Sequence, residues 1–202
     1  MFITFEGQEG AGKSTQIKLL YDYFIAKGVN VILTREPGGT EIAEKIRHIL
    51  KDTDNAAMSA KAEALLYIAA RAQLAHEVIL PHLAAGGIVL SDRFTDSTIA
   101  YQGFGNGLDV DELINMSNFA GDSLMPDITF YLQIDVEAGL ARKLSQGAPD
   151  RIEQRDLSYH MAVKKGYEHL LHMHPERIIA VDGALPQDII HETIINHIES
   201  LN

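Results

Sequence analysis

The stretch that decides the fold is Gly7-Gln8-Glu9-Gly10-Ala11-Gly12-Lys13-Ser14, near the start of the chain. It matches the pattern G-x-x-x-x-G-K-[ST] in full, follows a strand-like run at 2–5 and opens a helix-compatible stretch. Glycines let the backbone wrap closely with its N–H groups turned inward, and the N-terminus of the helix adds a positive dipole. The stretch is therefore predicted to hold a di- or triphosphate through its main chain.

Two side chains at the end of this stretch carry the predicted phosphate chemistry. The ammonium group of Lys13 supplies a point charge at the β- and γ-phosphates, and the hydroxyl of Ser14 is a ligand for Mg²⁺ that bridges two phosphate oxygens. We expect nucleotide contacts over 7–15, ending at Thr15. A chance glycine-rich turn is the alternative, but it does not explain the strand before the stretch and the helix after it.

The rest of the chain alternates between strands and helices. Apolar runs predict strands at 2–5, 29–33, 88–90, 128–134 and 178–181. Helix-compatible stretches lie at 13–27, 41–51, 60–85 (with a break at Pro81 left open), 110–121, 137–144, 158–173 and 186–201. Strands too apolar to be half-exposed predict an α/β fold, with a parallel sheet covered by helices on both faces.

Punctuation residues mark loops but no domain boundary. The chain has no Ser/Pro-rich linker and no internal repeat, so we expect a single domain over 1–202. Glycine-rich stretches at 103–107 and 147–149 are predicted to be long, mobile connections. Such connections in compact enzymes are usually functional loops or lids.

Composition excludes several classes of protein. The net charge of −11 argues against a nucleic-acid surface. The absence of cysteine excludes disulfides, thiolate nucleophiles and Cys-rich zinc sites. No apolar run approaches the roughly 18 residues of a membrane span, and the first residues lack a signal-peptide pattern. We therefore expect a soluble cytoplasmic protein, without nucleic-acid or membrane partners, whose clustered arginines bind a small anion.

The strand at 88–90 leads into a second candidate motif, Asp92-Arg93. Open α/β sheets bind ligands at the carboxyl edge of their strands, where this pair falls. We predict that Asp92 holds a water of Mg²⁺ and that Arg93 neutralises charge on the transferring phosphoryl group. In isolation a strand that ends in Asp-Arg is more often an ordinary surface ion pair, and the complete phosphate-binding stretch earlier in the chain reverses that preference in favour of the functional interpretation.

Five motifs, taken together and in this order, resemble the thymidylate kinase family. They are Thr34-Arg35-Glu36-Pro37-Gly38-Gly39-Thr40, Ala69-Ala70-Arg71, Asp92-Arg93, Ser97-Thr98-Ile99-Ala100-Tyr101-Gln102-Gly103 and Asp150-Arg151-Ile152-Glu153. The resemblance runs from Ile3 to about Asp182. It implies a three-layer P-loop kinase fold with a five-stranded parallel sheet and a lid, and transfer of the γ-phosphoryl group of ATP to dTMP in dTTP biosynthesis.

The resemblance also implies which residues bind the acceptor nucleotide. They are Glu9, Arg35, Pro37, Arg47, Tyr67, Arg71, Arg93, Ser97, Thr98, Tyr101 and Gln102. Tyr67 lies one helical turn before Arg71, so a stacking ring for the pyrimidine and a donor for its carbonyl share one face. Spacing alone fits core packing of Tyr67 equally well. Arg47 and Arg93 resemble clamps on the acceptor phosphate, supported by Arg35, although a solvated face explains Arg35 and Arg47 taken singly.

Glu9 and Tyr101 are expected at the sugar of the acceptor. Glu9 would orient the 3′-hydroxyl or a water of Mg²⁺, and Tyr101 would exclude a 2′-hydroxyl. A structural turn before the glycine loop is the alternative for Tyr101 and Gln102. The attacking phosphate oxygen is already ionised, so positioning and charge neutralisation should dominate, with no strong protein base.

The segment 142–155 is expected to be the lid. The resemblance places Arg142 near the adenine and lets Arg151 and Arg155 reach the phosphates when the lid closes. The chain departs from one family pattern, because Leu144 and Gln146 stand where members without a P-loop arginine usually carry lid arginines. We predict Arg151 as the transition-state arginine, and Glu9, Lys13, Arg93 and Arg151 as the catalytic set.

Three alternatives bound this interpretation. A GTPase switch would carry a guanine-reading Asn-Lys-x-Asp element, and the chain has none. A kinase for another deoxynucleoside or deoxynucleotide would not need the Arg-Glu-Pro-Gly-Gly and Tyr-Gln-Gly elements. A scaffold without turnover would tolerate loss of Lys13 or Asp92, and both residues are present.

Three histidines near the end of the predicted helix at 158–173 predict no metal site, because they do not share one helical face: His169, His172 and His174. The Ala- and Leu-rich helix at 61–71, with the resemblance, predicts a homodimer.

Overall fold

The structure, a computed structural model, describes residues 1–145 and 147–200. Its centre is a five-stranded parallel sheet formed by β1 (Phe2–Glu6), β2 (Val31–Arg35), β3 (Ile88–Asp92), β4 (Ile128–Gln133) and β5 (Ile178–Asp182). The strand order is β2-β3-β1-β4-β5, and every neighbouring pair is parallel. The predicted fold class and all five predicted strands are confirmed.

Nine α-helices connect the strands in the described part of the chain. They are α1 (Lys13–Ala26), α2 (Glu41–Lys51), α3 (Ala60–Leu74), α4 (Leu80–Ala84), α5 (Thr95–Thr98), α6 (Val110–Ala120), α7 (Val136–Leu144), α8 (Leu157–Met173) and α9 (Gln187–Ser200). Five of them begin where a side-chain oxygen accepts a backbone N–H of the first turn, which fixes the helix start. These capping residues are Thr40, Ser59, Asp109, Asp135 and Asp156.

Helices pack on both faces of the sheet. Ile3 and Phe5 of β1 face a core that contains residues of α1 and α9, such as Leu20 and Ile194. The alternate residue Phe2 faces the opposite layer, whose core includes Leu74 of α3. Because successive side chains of a strand point to opposite faces, one apolar strand serves both cores. None of the helices within 1–145 and 147–200 combines the length and apolar character that crossing a bilayer requires.

The predicted helix at 60–85 contains a change of winding. After α3, residues 75–79 form a π-helical turn that leads directly into α4. Pro81 stands at the second position of α4 and so does not break the chain direction. Proline lacks the N–H for an ordinary helical bond, and the wider turn before it accommodates that loss.

The prediction of a mobile connection at 103–107 is wrong for its first three residues. Helix α5 continues into a π-helical segment over 99–105, so these glycines lie in helical structure. A Cβ atom on Gly105 would lie 2.7 Å from Tyr159 Cε2, and one on Gly103 would lie 3.1 Å from Val110 Cγ2. The glycines therefore allow close packing against α6 and α8. The other predicted loop, 147–149, follows Gln146, which lies outside the described residues.

Candidate active site

The glycine-rich stretch connects β1 to α1 and lies against the backbone of α7. Gly10 adopts φ +73°, and a Cβ atom there would lie 2.1 Å from the carbonyl oxygen of Gly139. A Cβ on Gly139 would in turn lie 2.6 Å from the carbonyl oxygen of Glu9. Glycine is required at position 10 both by the backbone conformation and by this contact. A side chain such as arginine at position 10 does not fit this arrangement.

Lys13 and Ser14 stand where α1 begins. The buried Lys13 Nζ donates to the carbonyl oxygens of Gly7 (2.9 Å) and Gln8 (2.8 Å). Burial, assisted by the nearby Arg93 charge, lowers the pKa of Lys13 to about 8, against the opposing effect of Asp92 and other carboxylates. The ammonium group is thus held at the loop by two neutral acceptors that phosphate oxygens can replace.

Ser14 and Asp92 together fit a magnesium site. Ser14 Oγ donates to Asp92 Oδ2 at 2.9 Å, which brings a hydroxyl and a carboxylate oxygen to the same point. Both are hard oxygen ligands of the kind that Mg²⁺ prefers. In the described ranges no group of three or more metal-ligating side chains occurs, so a cation here needs further oxygen ligands from a nucleotide or water.

Arg93 is the centre of the site. Its Nη1 donates to Ser97 Oγ (3.0 Å) and to the Tyr167 hydroxyl (2.9 Å). Its Nη2 donates to Glu9 Oε1 (3.0 Å) and to the Tyr101 hydroxyl (3.0 Å). The planar guanidinium therefore joins the glycine-rich loop, the segment after β3 and α8. Tyr167 was not among the sequence predictions, because nothing in its local pattern distinguishes it from a core tyrosine.

The backbone at Arg93 is held in an unusual conformation. Arg93 has φ +75°, which costs a non-glycine residue about 1–3 kcal/mol. Three hydrogen bonds stabilise it: Arg93 N–H to Phe5 O (3.0 Å), Ser91 Oγ to Arg93 O (2.7 Å), and Phe94 N–H to Glu6 Oε1 (2.7 Å). The turn directs the guanidinium into the cleft instead of along the sheet.

Glu9 lies between Arg93 and Tyr101. Its two carboxylate oxygens accept the Tyr101 hydroxyl at 2.8 and 2.9 Å. Burial alone would raise the pKa of Glu9, but the Arg93 and Lys13 charges and the Tyr101 hydrogen bond bring it below the usual value. Glu9 is therefore an ionised carboxylate at neutral pH that orients its neighbours.

Glu6, the last residue of β1, is a site residue that the sequence analysis missed. It is buried and accepts hydrogen bonds from Phe94 N–H (2.7 Å), Ser97 Oγ (2.6 Å) and the Tyr167 hydroxyl (2.8 Å). Burial and the nearby Asp96 raise the pKa of Glu6 to about 7, against the opposing effect of Arg93. An acid at the end of an otherwise apolar strand was the available signal.

The wall contributed by α3 contains Tyr67 and Arg71. Arg71 is 1% exposed, and its Nε and Nη2 donate to the Glu36 carboxylate at 2.6–3.1 Å. Nη2 also donates to Thr98 Oγ1 (2.9 Å) and Nη1 donates to Ser117 Oγ (3.1 Å). A guanidinium has five N–H groups, so a second N–H of Nη1 has no acceptor in the described residues. Glu36 was not predicted as the partner that fixes this arginine.

Arg35 and Arg47 bring two positive charges to the same side of the cleft. Arg35 Nη2 pairs with Glu44 Oε1 (2.8 Å), and Arg47 Nη1 donates to Pro37 O (2.8 Å). Burial, followed by the Arg35 charge, lowers the pKa of Arg47, and Glu44 opposes this only in part. Two guanidinium groups that repel each other beside a cleft have the charge and the geometry that a phosphate dianion requires.

Most of the predicted site residues line a single cleft of about 490 Å³. Those that do are Glu9, Gly10, Ala11, Gly12, Lys13, Ser14, Thr15, Arg35, Pro37, Arg47, Tyr67, Arg71, Asp92, Arg93, Ser97, Thr98, Tyr101, Gln102 and Arg142. Gly7, Gln8 and Arg151 are the three that do not. Gln8 instead donates from Nε2 to the carbonyl oxygen of His160 at 2.7 Å, which ties the loop to α8.

The structure does not bring Arg151 to the cleft. The side chain is buried, with Nη1 2.7 Å from Glu63 Oε2 and Nε donating to Leu50 O at 2.8 Å. Arg155 approaches the same carboxylate at 3.4 Å. Arg142 and Lys143 are the bases of 142–155 that line the cleft. The transition-state role of Arg151 therefore stays a prediction, and these contacts do not favour it.

Comparisons with known proteins agree on one family. A sequence model of the family described as "Thymidylate kinase" matches residues 5–194. The chain is 47% identical over 206 residues to a thymidylate kinase of Roseiflexus sp. (strain RS-1), covering 96% of this chain and 91% of that protein. It is 46% identical over 202 residues to one of Acinetobacter baylyi, covering 100% of both. A crystal structure of thymidylate kinase from Ehrlichia chaffeensis superimposes with a TM-score of 0.81 at 34% identity, covering 98% of each chain.

Proposed function

The chain belongs to the thymidylate kinase family and is an ATP-dependent nucleotide kinase, and from this premise we propose that its cleft transfers the γ-phosphoryl group of ATP to dTMP. One observation carries the proposal: Lys13 and Ser14 of the phosphate-binding loop and Tyr67 and Arg71 of α3 line the same cleft, and Arg93 lines it as well. Two nucleotides, one bound by the loop and one by α3, would meet beside Arg93.

The loop side of the cleft is proposed to bind ATP. Backbone N–H groups of 7–15 and the start of α1 would surround the phosphates, and Arg142 would lie toward the adenine. Ser14 and Asp92 would hold Mg²⁺, Asp92 through a bound water. When bound, the cation neutralises charge on the phosphate oxygens. Lys13 would exchange the carbonyl oxygens of Gly7 and Gln8 for phosphate oxygens.

The α3 side is proposed to bind dTMP. Tyr67 and Arg71 would contact the base, and Arg35, Arg47 and Arg93 would bind the phosphate. Pro37, Ser97, Thr98, Tyr101 and Gln102 complete the proposed acceptor site. Glu9, fixed by Arg93 and Tyr101, offers a carboxylate to the 3′-hydroxyl of the sugar.

The reaction itself requires positioning and charge neutralisation. An ionised oxygen of the dTMP phosphate forms a bond to the γ-phosphorus, the bond from that phosphorus to the β–γ bridging oxygen breaks, and ADP leaves with the electron pair. Lys13 and Arg93 would neutralise the charge that develops on the transferred group. No protein base is needed, because the attacking oxygen carries no proton at neutral pH.

A coupled ADP-release assay tests the proposed function. The purified protein is supplied with ATP, Mg²⁺ and, in turn, dTMP, dUMP, dCMP, dGMP and AMP. We expect dTMP to give the highest kcat/KM, and little ADP without an acceptor. Preference for another monophosphate would contradict the assigned acceptor, and equal ADP release without an acceptor would indicate an NTPase.

The lowered pKa of Lys13 predicts the pH dependence. A pKa of about 8 in the free enzyme means that the ammonium loses its proton as the pH rises through about 8. The value of kcat/KM for ATP, which reports the free enzyme, is expected to fall above that pH. Bound phosphates favour the charged form, so kcat should persist to higher pH. Steady-state rates between pH 6 and 10 measure both, and a flat kcat/KM profile would contradict the role of Lys13.

The position of Arg71 predicts that its loss affects KM for the acceptor more than KM for ATP. Arg71→Ala is expected to raise KM for dTMP far more than KM for ATP, because the guanidinium lies on the α3 side of the cleft. Since the change also leaves Glu36 buried without its partner, thermal unfolding must be measured in parallel. Equal increases in both KM values, for a folded protein, would contradict the two-sided assignment.

Single alanine variants test which base of the lid acts in the transition state, and the four bases are Arg142, Lys143, Arg151 and Arg155. Loss of a base that acts in the transition state lowers kcat with little change in KM, by about 10³-fold for an arginine finger. From their position on the cleft we expect the larger kcat losses at Arg142 or Lys143, and from the Glu63 contact we expect Arg151→Ala to lower stability. Arg155→Ala is the comparison variant. A large kcat loss confined to Arg151 would restore the original prediction.

We also propose a cytoplasmic homodimer of single-domain subunits spanning 1–202. Helices α3 and α6 expose large apolar side chains, including Leu65 (55% exposed) and Phe119 (88% exposed). Such side chains favour burial against a second copy. Sedimentation equilibrium tests this proposal, and a monomer at micromolar concentration would contradict it.

A further inference from the structure

Glu63, on α3, is a fully buried carboxylate that accepts hydrogen bonds from two separate segments. Its Oε1 accepts from Gln102 Nε2 (3.0 Å) and Asn106 Nδ2 (2.8 Å). Its Oε2 faces Arg151 Nη1 (2.7 Å) and Arg155 Nη2 (3.4 Å). One side chain therefore connects α3, the end of the π-helical segment and the lid.

The chemistry of this contact fixes the orientation of the Gln102 amide. A carboxylate flanked by guanidinium groups accepts hydrogen bonds and donates none, so the Gln102 NH₂ group must face Glu63. The carbonyl oxygen of Gln102 then points the other way. It accepts no hydrogen bond from the described residues, and Gln102, although only 2% exposed, lines the cleft. Gln102 thus presents an unused acceptor to the ligand.

Glu63 shares a helix face with the proposed base-binding residues. Tyr67 follows it by one turn and Arg71 by two, so all three project from the same side of α3. Arg71 retains one unassigned N–H, which is a donor, whereas Gln102 supplies an acceptor. Thymine offers the complement of this pair, a ring N–H beside carbonyl oxygens. Cytosine has an unprotonated ring nitrogen at that position, which the Gln102 oxygen repels.

We propose that Glu63 is a specificity-determining positioning residue, which turns the Gln102 carbonyl oxygen toward the cleft and so selects an acceptor base with a ring N–H. The inference rests on the proposed function. It explains why a carboxylate and not an amide occupies position 63. An amide at position 63 could turn either its carbonyl oxygen or its NH₂ group toward Gln102. The Gln102 side chain would then no longer be held in one orientation.

The test is the selectivity of Glu63→Gln for dTMP over dCMP. The variant keeps the shape of the side chain, but its NH₂ group can donate to Gln102, which then presents its own NH₂ to the cleft. We expect the ratio of kcat/KM for dTMP to that for dCMP to fall by about tenfold or more, with KM for ATP within about twofold of the parent. Gln102→Met should lose the same selectivity, and combining both changes should add nothing further.

Asn106→Ala is the matched control, since it removes another donor to the same oxygen without touching Gln102, and should leave the ratio unchanged. Glu63→Gln could be unstable because Arg151 loses its charged partner. The double variant Glu63→Gln with Arg151→Met replaces the ion pair by two uncharged side chains and is expected to show the same lowered ratio. An unchanged ratio in a folded Glu63 variant, or an equal fall in Asn106→Ala, overturns the proposal. Absence of dTMP turnover in the parent would instead overturn the proposed function.

Discussion

Lys13→Ala is expected to lower kcat by roughly 10²-fold or more while the protein stays folded. In the proposed reaction the ammonium group supplies the charge of the phosphate-binding loop at the transferred group, and the sequence 7–15 contains no other lysine or arginine. Alanine is compatible with the first turn of α1, so the helix should persist. Turnover at saturating ATP and dTMP, together with the thermal unfolding midpoint, measures the effect.

Lys18→Ala is the control for this change. Lys18 lies on the same helix but is exposed and paired with Asp22, so its removal should leave kcat within about twofold of the parent. Near-normal turnover in a folded Lys13→Ala protein would show that the loop does not act as proposed. An equal loss in Lys18→Ala would show that the charge of α1 as a whole matters, and not the position of Lys13.

Arg93→Lys should be nearly as damaging, although the charge is kept. The guanidinium reaches four partners through two nitrogens in one plane, and a lysine ammonium has neither the reach nor the shape to replace it. We expect kcat/KM for both substrates to fall by about 10²-fold or more, because Arg93 lies where the two phosphates would meet. Steady-state kinetics with each substrate varied in turn measures this loss.

Arg177→Lys separates a catalytic loss from a structural one. Arg177 also has buried partners, binding Asp96 at 2.7 and 2.9 Å, but it does not line the cleft. The substitution Arg177→Lys is expected to lower the unfolding temperature and to leave kcat/KM within about threefold of the parent. If Arg93→Lys lowered the unfolding temperature and kcat/KM in the same proportion as Arg177→Lys does, the role of Arg93 would be structural.

The parts of the fold that could be predicted are those whose signal is local. The strand, glycine turn and helix around Lys13 follow from residues next to one another, and α2 begins at Glu41 because Thr40 caps it. The glycines at 103 and 105 misled the prediction, since low helix propensity normally marks a loop. Close packing against Val110 and Tyr159 outweighed that propensity, and this contact cannot be read from neighbouring residues.

The residues of the candidate site also divide into those with a local sequence signal and those whose contacts form only on folding. Asp92 and Arg93 were predicted as site residues because they end a strand at the ligand-binding edge of the sheet, and both line the cleft. Glu36 and Glu63 were missed because their partners are distant in sequence and are brought together only by folding. Arg151 was placed by its motif, but the buried carboxylate next to it decides where its charge lies.

The contact between Gly10 and Gly139 limits which side chains the loop can carry. Two backbones meet there without side chains, so each of these positions, far apart in sequence, constrains the other. A side chain at position 10 fits only if α7 moves away, and α7 contains the first residues of 142–155. A basic residue at position 10 would therefore require a wider spacing between these two segments of the main chain than the one seen here.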